Sequence, residues 1–431
     1  MLGSGSITVR SVRPDDVATW RELRLRALAD EPNAFGEQLA SAQQRSDWDQ
    51  LVVSQANREL WFAERDGRPI GMAVCVADLE APGHAHLFAM WVAPEARRAS
   101  AASKLVAAAL AWARERGQPQ VELRVTLAHR GAVRTYERVG FVDTGDRSPL
   151  RPGSDVETAT MIRRLPPLIM GVVNVTPDSF SDGGRYLDPA AAAAHGVQLR
   201  ADGADVLDVG GEATNPRAAP VTADEELRRV LPVIERLAAA GAVLSIDTTK
   251  AEVARTAVRA GARFVNDVSG GLFDPAMIAT IAELDATYIC GHLRGRSIRE
   301  VFTDENRPVT WTEVADELAA RLASLPQAVR TRAWVDPGVG FGKGGDVATN
   351  VELLRRAGDL RDRLGRPAMV GPSRKRFVAA IARAGGVADP SELDLDRESV
   401  RLAVEAVRFG ARMVRTHNVA LLHDALTYNN M

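Results

Sequence analysis

From residue 168 onward the chain alternates short apolar runs with longer amphipathic stretches rich in Ala and Arg. Eight apolar runs stand at 168–175, 204–211, 242–249, 263–269, 286–292, 333–340, 367–373 and 411–417. Strands alternating with helices read as βαβ units on a parallel sheet. Eight units in about 250 residues is the size of a closed (β/α)₈, or TIM, barrel. A doubly wound open sheet is the competing α/β reading, and eight evenly repeated units favour closure. Ahead of this pattern, residues 7–164 end in a strand-like, basic run at 157–164. Leu165-Pro166-Pro167 then interrupts. Two prolines in a row neither continue a helix nor donate to a sheet ladder, which marks a linker. The expectation is one domain over 1–165 and a barrel over 166–431.

The polar positions carry a second regularity. The apolar runs end at Asn174, Glu212, Asp247, Asn266 with Asp267, His292, Asp336, Ser373-Arg374-Lys375, and Arg415 with His417. Taken singly, each reads as a helix cap or a turn residue. In a parallel barrel, however, all of them fall on the C-terminal face, where active sites are built. Carboxylates beside an amide (Asp247, Asp336, Asn266) suit a heterocycle with several N–H donors, because a wrong ligand would leave buried polar groups unpaired. Lys375, Arg374 and Arg415, with His417, suit an anionic group such as a diphosphate. A ring-binding end and an anion-binding end imply a substrate that carries both.

Composition narrows the class. Hydrophobic residues make up 46% of the 431 residues and charged residues 26%, as in soluble globular proteins. Lys plus Arg number 54 against 56 Asp plus Glu, so no charge excess argues for a nucleic-acid or membrane partner. Cys75 and Cys290 each sit in an apolar run and read as small core residues. No signal peptide and no membrane-length apolar run is apparent, so the expected location is cytoplasmic. No Cys/His spacing suits structural zinc. Gly338-Val-Gly340-Phe-Gly342 lacks the Walker spacing.

The motifs themselves then carry a resemblance. Met170-Gly-Val-Val-Asn174-Val-Thr-Pro-Asp178-Ser-Phe180-Ser-Asp182-Gly-Gly184 resembles a signature of the dihydropteroate synthases. So do Ser245-Ile-Asp247-Thr-Thr-Lys250, Asn266-Asp-Val-Ser-Gly270, Asp336-Pro-Gly-Val-Gly-Phe341-Gly-Lys343 and Gly371-Pro-Ser373-Arg374-Lys375-Arg-Phe377. They occur in the family's order across residues 168–431. The resemblance implies a transferase of folate biosynthesis that condenses 6-hydroxymethyl-7,8-dihydropterin diphosphate with p-aminobenzoate. It implies that Asp247, Asn266, Asp336 and Lys375 hold the pterin, with Phe341 beside it. Asn174 would hold Mg²⁺ on the diphosphate, and Arg415 and His417 would complete the anion site. Thr214, Pro216 and Ser373 would line the aminobenzoate pocket. Asp178 and Phe180 would close over the reacting carbon, so Asp178, Phe180, Lys375 and Arg415 are the catalytic candidates. A homodimer formed through the barrel is implied by the same resemblance.

Several positions depart from the pattern. Glu212-Ala-Thr214-Asn215-Pro216-Arg217 stands where Glu-Ser-Thr-Arg-Pro-Gly is expected, Gly291-His292-Leu293 replaces a Met-His-Met-like run, and Asn418 replaces an Asp. A non-catalytic pterin-binding protein with a partner-docking N-terminal domain is therefore an alternative. A methyltetrahydrofolate methyltransferase is another, but residues 176–184 supply an Asp and a Phe suited to a leaving diphosphate, which methyl transfer lacks.

Residues 7–164 resemble the GNAT superfamily of N-acetyltransferases. The resemblance rests on Ile7-Thr-Val-Arg10, Leu87-Phe-Ala-Met-Trp-Val-Ala-Pro94-Glu-Ala-Arg97 and Tyr136-Glu-Arg-Val-Gly140-Phe141. It implies an α+β domain with a mixed sheet that uses acetyl-CoA, the diphosphate resting on backbone N–H groups at a helix N-terminus. The matching positions are Arg97, Ser100 and Ala102, although the family's glycines are missing there. Tyr136 has two readings, a general acid toward the leaving thiolate or an aromatic packed on the sheet.

Overall fold

The computed structural model describes residues 6–53, 57–77, 83–97, 99–176, 188–213, 220–297, 300–301, 309–343 and 346–428. The chain divides into two compact units, Met1–Pro166 and Pro167–Met431.

The first unit is built on seven strands: β1 (Ile7–Ser11), β2 (Arg58–Arg65), β3 (Arg68–Ala77), β4 (Ala85–Val92), β5 (Gln120–Thr126), β6 (Val142–Pro149) and β7 (Glu157–Arg164). Their order across the sheet is β1-β2-β3-β4-β5-β7-β6. Every neighbouring pair is antiparallel except β4 and β5, which run parallel. Alternation along the strands sends neighbouring aromatics to opposite faces. Trp61 packs with Leu105 and Trp112 of helix Ala101–Glu115, whereas Phe62 packs with Trp20 and Leu23 of helix Val17–Asp30. The parallel pair is joined only at Ala85–Val121 and His86–Glu122. Beyond those two registers the strands part, and a cleft opens between them.

The second unit carries β8 (Leu168–Asn174), β9 (Val206–Gly210), β10 (Leu244–Asp247), β11 (Phe264–Asp267), β12 (Thr287–Gly291), β13 (Trp334–Asp336), β14 (Met369–Val370) and β15 (Met413–Thr416). All adjacent pairs are parallel, in the order β13-β12-β11-β10-β9-β8-β15-β14. A parallel bridge between Val335 and Ala368 joins the two ends of this row, so the sheet wraps into a nearly closed eight-stranded barrel. Several observed strands are shorter than the apolar runs. The run at 333–340 yields only Trp334–Asp336. Pro337 has no N–H to donate, and Gly338 turns to φ +68°. Side-chain caps at Asp188, Thr222, Thr310, Asp346 and Ser391 start outer helices.

Period-two alternation decides which residues face the barrel axis. Leu168, Met170, Val206, Phe264, Ile289, Trp334, Met369 and Met413 form one compact apolar plug, drawn from seven different strands. The intervening residues, such as Ile169, Leu207, Val265, Tyr288, Val335 and Val414, pack outward in the larger core that also contains the helices. Two residues beyond the plug, toward the strands' C-terminal ends, the inward positions are Asp208, Asn266, Gly291, Asp336 and Arg415. The plug is thus the apolar floor of a polar chamber.

Candidate active site

Arg415 is the centre of that chamber. Its Nε lies 2.6 Å from Asp208 Oδ2, and its terminal nitrogen lies 2.7 Å from Asp247 Oδ2. Asn266 Nδ2 donates to the same Asp208 oxygen at 3.0 Å. Burial pushes the Asp247 carboxyl well above the usual carboxylate range, opposed by the Arg415 charge and reinforced by Asp208. Burial likewise raises Asp336, against the hydrogen bond from Gly338 N to its Oδ1 and the charges of Lys343, Lys375 and Arg415. Arg415 loses stability as a cation through burial, but the carboxylates of Asp208 and Asp247 outweigh that and hold its pKa above the ordinary value. Among the described residues, the buried atoms Asp208 Oδ1, Asn266 Oδ1 and Ser245 Oγ have no hydrogen-bond partner. An unpaired buried acceptor costs about 1–3 kcal/mol. Acceptors of this kind suit a flat heterocycle that arrives with N–H donors.

Lys375 caps helix Arg376–Ala384, and its Nζ stands 5.0 Å from the centroid of the Phe341 ring. Burial and the Arg415 charge lower its pKa to about 8, while Asp336 and Asp247 pull the other way. Asp247, Asn266, Asp336, Phe341 and Lys375 are thereby placed on one chamber.

The anion side is built differently from the sequence expectation. Ser373 Oγ lies 2.9 Å from His417 Nδ1 and accepts from the His417 backbone N–H at 3.2 Å. Burial, with Arg415 and Arg374 nearby, drives the His417 pKa well below its ordinary value. His417 is therefore a neutral donor or acceptor rather than a cation. Arg374 has the left-handed backbone φ of +55°, and its guanidinium forms a fork on Asp396 at 2.7 and 2.9 Å. Its guanidinium is turned to Asp396, away from the chamber that, among the described residues, holds Lys375 and Arg415. Asn418 Nδ2 donates to Asp396 Oδ2 at 3.0 Å. That contact accounts for the amide at 418, since an aspartate there would set two carboxylates against each other. Asn174 ends β8 at the same C-terminal face. Asp178, Phe180, Thr214 and Pro216, with Asn215 and Arg217, lie outside the described residues.

Asp208 escaped the sequence reading, which took Glu212 as the polar end of its run. The signal was available in the alternation: Asp208 stands two residues after Val206 and shares its inward face. A second unread cluster lies behind it. Lys250 Nζ bridges Glu212 at 2.5 Å and the buried Glu226 at 2.6 Å. Glu212 also accepts from Val221 N at 3.0 Å, across the base of the loop that follows β9.

In the first unit, the cleft between β4 and β5 encloses about 900 Å³, and Arg97, Ser100, Ala102 and Tyr136 all line it. Ser100 adopts φ +61° as the N-cap of helix Ala101–Glu115, a backbone shape that normally asks for glycine. The turn is thus retained without glycine. The Arg97 side chain turns toward Asp30 and Glu31, and its Nε donates to Val92 O at 3.1 Å. Tyr136 is buried edge-on against Phe141 at 5.8 Å, and burial raises its hydroxyl pKa.

Comparison with known proteins agrees with both units. The profile of the pterin binding enzyme family matches residues 170–417, and that of the acetyltransferase (GNAT) family matches residues 20–141. A dihydropteroate synthase of Mycobacterium leprae is 42% identical over 269 residues, covering 61% of this chain and 92% of that protein. A Xanthomonas albilineans dihydropteroate synthase solved with 4-aminobenzoic acid superposes with a TM-score of 0.55 at 40% identity, over 62% of this chain and 94% of that one. A Burkholderia cenocepacia dihydropteroate synthase complexed with 7,8-dihydropteroate gives 0.52 at 36% identity, over 61% and 90%.

Proposed function

The chain belongs to the pterin binding enzyme family, and on that premise we propose that its barrel is a dihydropteroate synthase of folate biosynthesis. It condenses 6-hydroxymethyl-7,8-dihydropterin diphosphate with p-aminobenzoate, giving 7,8-dihydropteroate and diphosphate. The observation that carries this reading is the buried chamber of Asp208, Asp247, Asn266 and Asp336 closed by Lys375 and Arg415. Its unpaired acceptors take the pterin N–H groups, and Phe341 walls the ring. Arg415, released in part from its carboxylates, and Lys375 offset the charge that grows on the departing diphosphate. Positive charge on the exocyclic carbon spreads into the pterin ring, and the arylamine attacks there. An aniline-type nitrogen is already nucleophilic, so no general base is assigned. Ser373 belongs to the aminobenzoate side. Thr214 and Pro216 are assigned to that side as well, and Asp178 and Phe180 to the reacting carbon.

Asn174 fits a divalent cation in kind. Its amide oxygen is a hard donor, and Mg²⁺ commonly takes one or two protein oxygens and completes its shell with phosphate oxygens and water. Bound there, it would withdraw charge from the leaving group. A homodimer through the barrel is part of the same proposal.

For the first unit we propose acetyl-CoA binding in the β4–β5 cleft. The family match and the glycine-like turn at Ser100 support it. No helix among the described residues is long and apolar enough to cross a membrane. The deciding experiment is turnover of the purified chain with the dihydropterin diphosphate, p-aminobenzoate and Mg²⁺. Release of diphosphate with formation of dihydropteroate is expected, and pterin binding without product would overturn the catalytic reading.

A further inference from the structure

The turn after β13 holds a buried lysine that the chemistry above does not use. Lys343 is only 4% exposed. Its Nζ donates to the His292 carbonyl at 2.8 Å and stands 2.9 Å from His292 Nδ1. His292 follows β12, so this one side chain ties together the loops at the ends of two adjacent barrel strands. The tie depends on the state of the histidine. Glu317, on helix Trp311–Ser324, lies 3.0 Å from His292 Nε2 and is itself held by Arg294. A carboxylate at Nε2 keeps the proton on that nitrogen, which leaves Nδ1 as an acceptor facing the Lys343 amine, whose own pKa burial lowers to about 7. Burial and the Lys343 charge lower the His292 pKa to about 3, so the ring stays neutral.

The turn needs such a tie. Gly338, Gly340 and Gly342 all have positive φ, and a glycine-rich turn has little rigidity of its own. Among its further fastenings are Gly340 N to Asn350 Oδ1 at 2.5 Å, Phe341 N to Gly338 O at 3.0 Å and Gly338 N to Asp336 Oδ1 at 2.8 Å. The second of these closes within the turn, and the third reaches only the end of its own strand, so neither holds the turn to β12 as Lys343 does. Phe341 rides on it, packing on Leu293 and Val301 with its ring 5.0 Å from Lys375 Nζ. Gly340 lies so close that a Cβ there would meet the Lys375 side chain at 2.9 Å.

We infer that Lys343 is a positioning residue for the pterin half of the site: pinned to His292, it fixes the turn that carries Phe341 against Lys375. The inference rests on the synthase reading. Its consequence falls first on the ring wall, because Phe341 rides on this turn, whereas Ser373 and Lys375 stand together on the loop after β14.

Steady-state kinetics of the full chain test it, with both substrates varied and folding checked by thermal denaturation. Lys343→Met should raise KM for the dihydropterin diphosphate tenfold or more and leave KM for p-aminobenzoate within twofold. His292→Asn, whose Oδ1 stands near the place of Nδ1, should stay within threefold of wild type for both. A purely structural lysine would instead lower kcat through a reduced folded fraction and leave both KM values unchanged, and that result overturns the inference. If Lys343→Met does not fold, His292→Leu removes one of the two anchors. A three- to tenfold rise in the pterin KM supports the inference, and an unchanged value overturns it. Wild-type chain without turnover would sink the synthase reading and this inference with it. Wild-type turnover beside an unaltered Lys343→Met would sink this inference alone.

Discussion

The residue that most shapes the barrel's chemistry is Arg415, because its two carboxylate partners are also groups a pterin would seek. Asp208 and Asp247 pair with it, so the site holds its charges in pairs rather than bare. Removing one member of a buried pair strands the other, at a cost of several kcal/mol. A substrate that donates N–H groups to these carboxylates while offering phosphate oxygens to the guanidinium replaces both halves of the pairing at once. Lys375 is a titratable cation in that exchange, beside Asp247, whose pKa burial raises to about 7. Its lowered pKa of about 8 means that the free enzyme carries the cation below pH 8 and loses it above. The expected pH profile of kcat/KM for the dihydropterin diphosphate therefore falls as pH rises through about 8. Lys375→Arg, which stays protonated throughout, should remove that alkaline limb whatever its absolute rate. A wild-type profile flat to pH 9.5 would show that the lysine charge is not required.

At the scale of elements, the strand ends decide where the polar groups stand, and glycine decides how the chain leaves them. Gly338 is the sharpest case. A Cβ there would lie 2.2 Å from the His292 carbonyl oxygen and 2.7 Å from Lys343 Nζ, on a backbone at φ +68°. Gly241 has a similar φ of +72°, yet a Cβ would meet nothing within 4 Å. Gly241→Ala should therefore cost only the left-handed backbone penalty, about 1 kcal/mol. Gly338→Ala should cost clearly more and lower turnover as well, read by thermal melts and initial rates of the two variants side by side. Equal melting shifts would mean that the turn can give way. These turns also mark where the sequence was hard to read. The alternation of apolar runs and amphipathic stretches revealed eight strands and their polar ends, because burial on both faces leaves a plain apolar signature. It did not reveal that β13 is three residues long, since Val339 and Gly340 look as strand-like as Val335 until Pro337 and Gly338 turn the chain. Nor did it reveal Asp208, because a charge inside an apolar strand looks like an interruption until its inward neighbours are known. Arg374 failed for another reason. Its partner Asp396 lies on a helix 22 residues away, a tertiary fact that no local pattern contains.

At the scale of the molecule, the two units keep separate cores. The clusters around Trp61 and Trp20 belong entirely to residues before 167, whereas those around the barrel strands belong entirely to residues after it. Among the described residues the seven-stranded and eight-stranded sheets share no strand. Both units exceed the roughly 50 residues at which a single core becomes self-sufficient. Residues 167–431 expressed alone should therefore fold, and should make dihydropteroate with kcat/KM within about threefold of the full chain. Residues 1–166 alone should bind acetyl-CoA by calorimetry, with Ser100→Pro abolishing binding, because proline cannot adopt the positive φ that shapes the turn. Independent units also predict two calorimetric transitions for the full chain, one of which moves when acetyl-CoA is added while the other moves with the pterin substrate. A single transition shifted by both ligands would mean that the units fold as one, and the activities would then have to be treated as coupled.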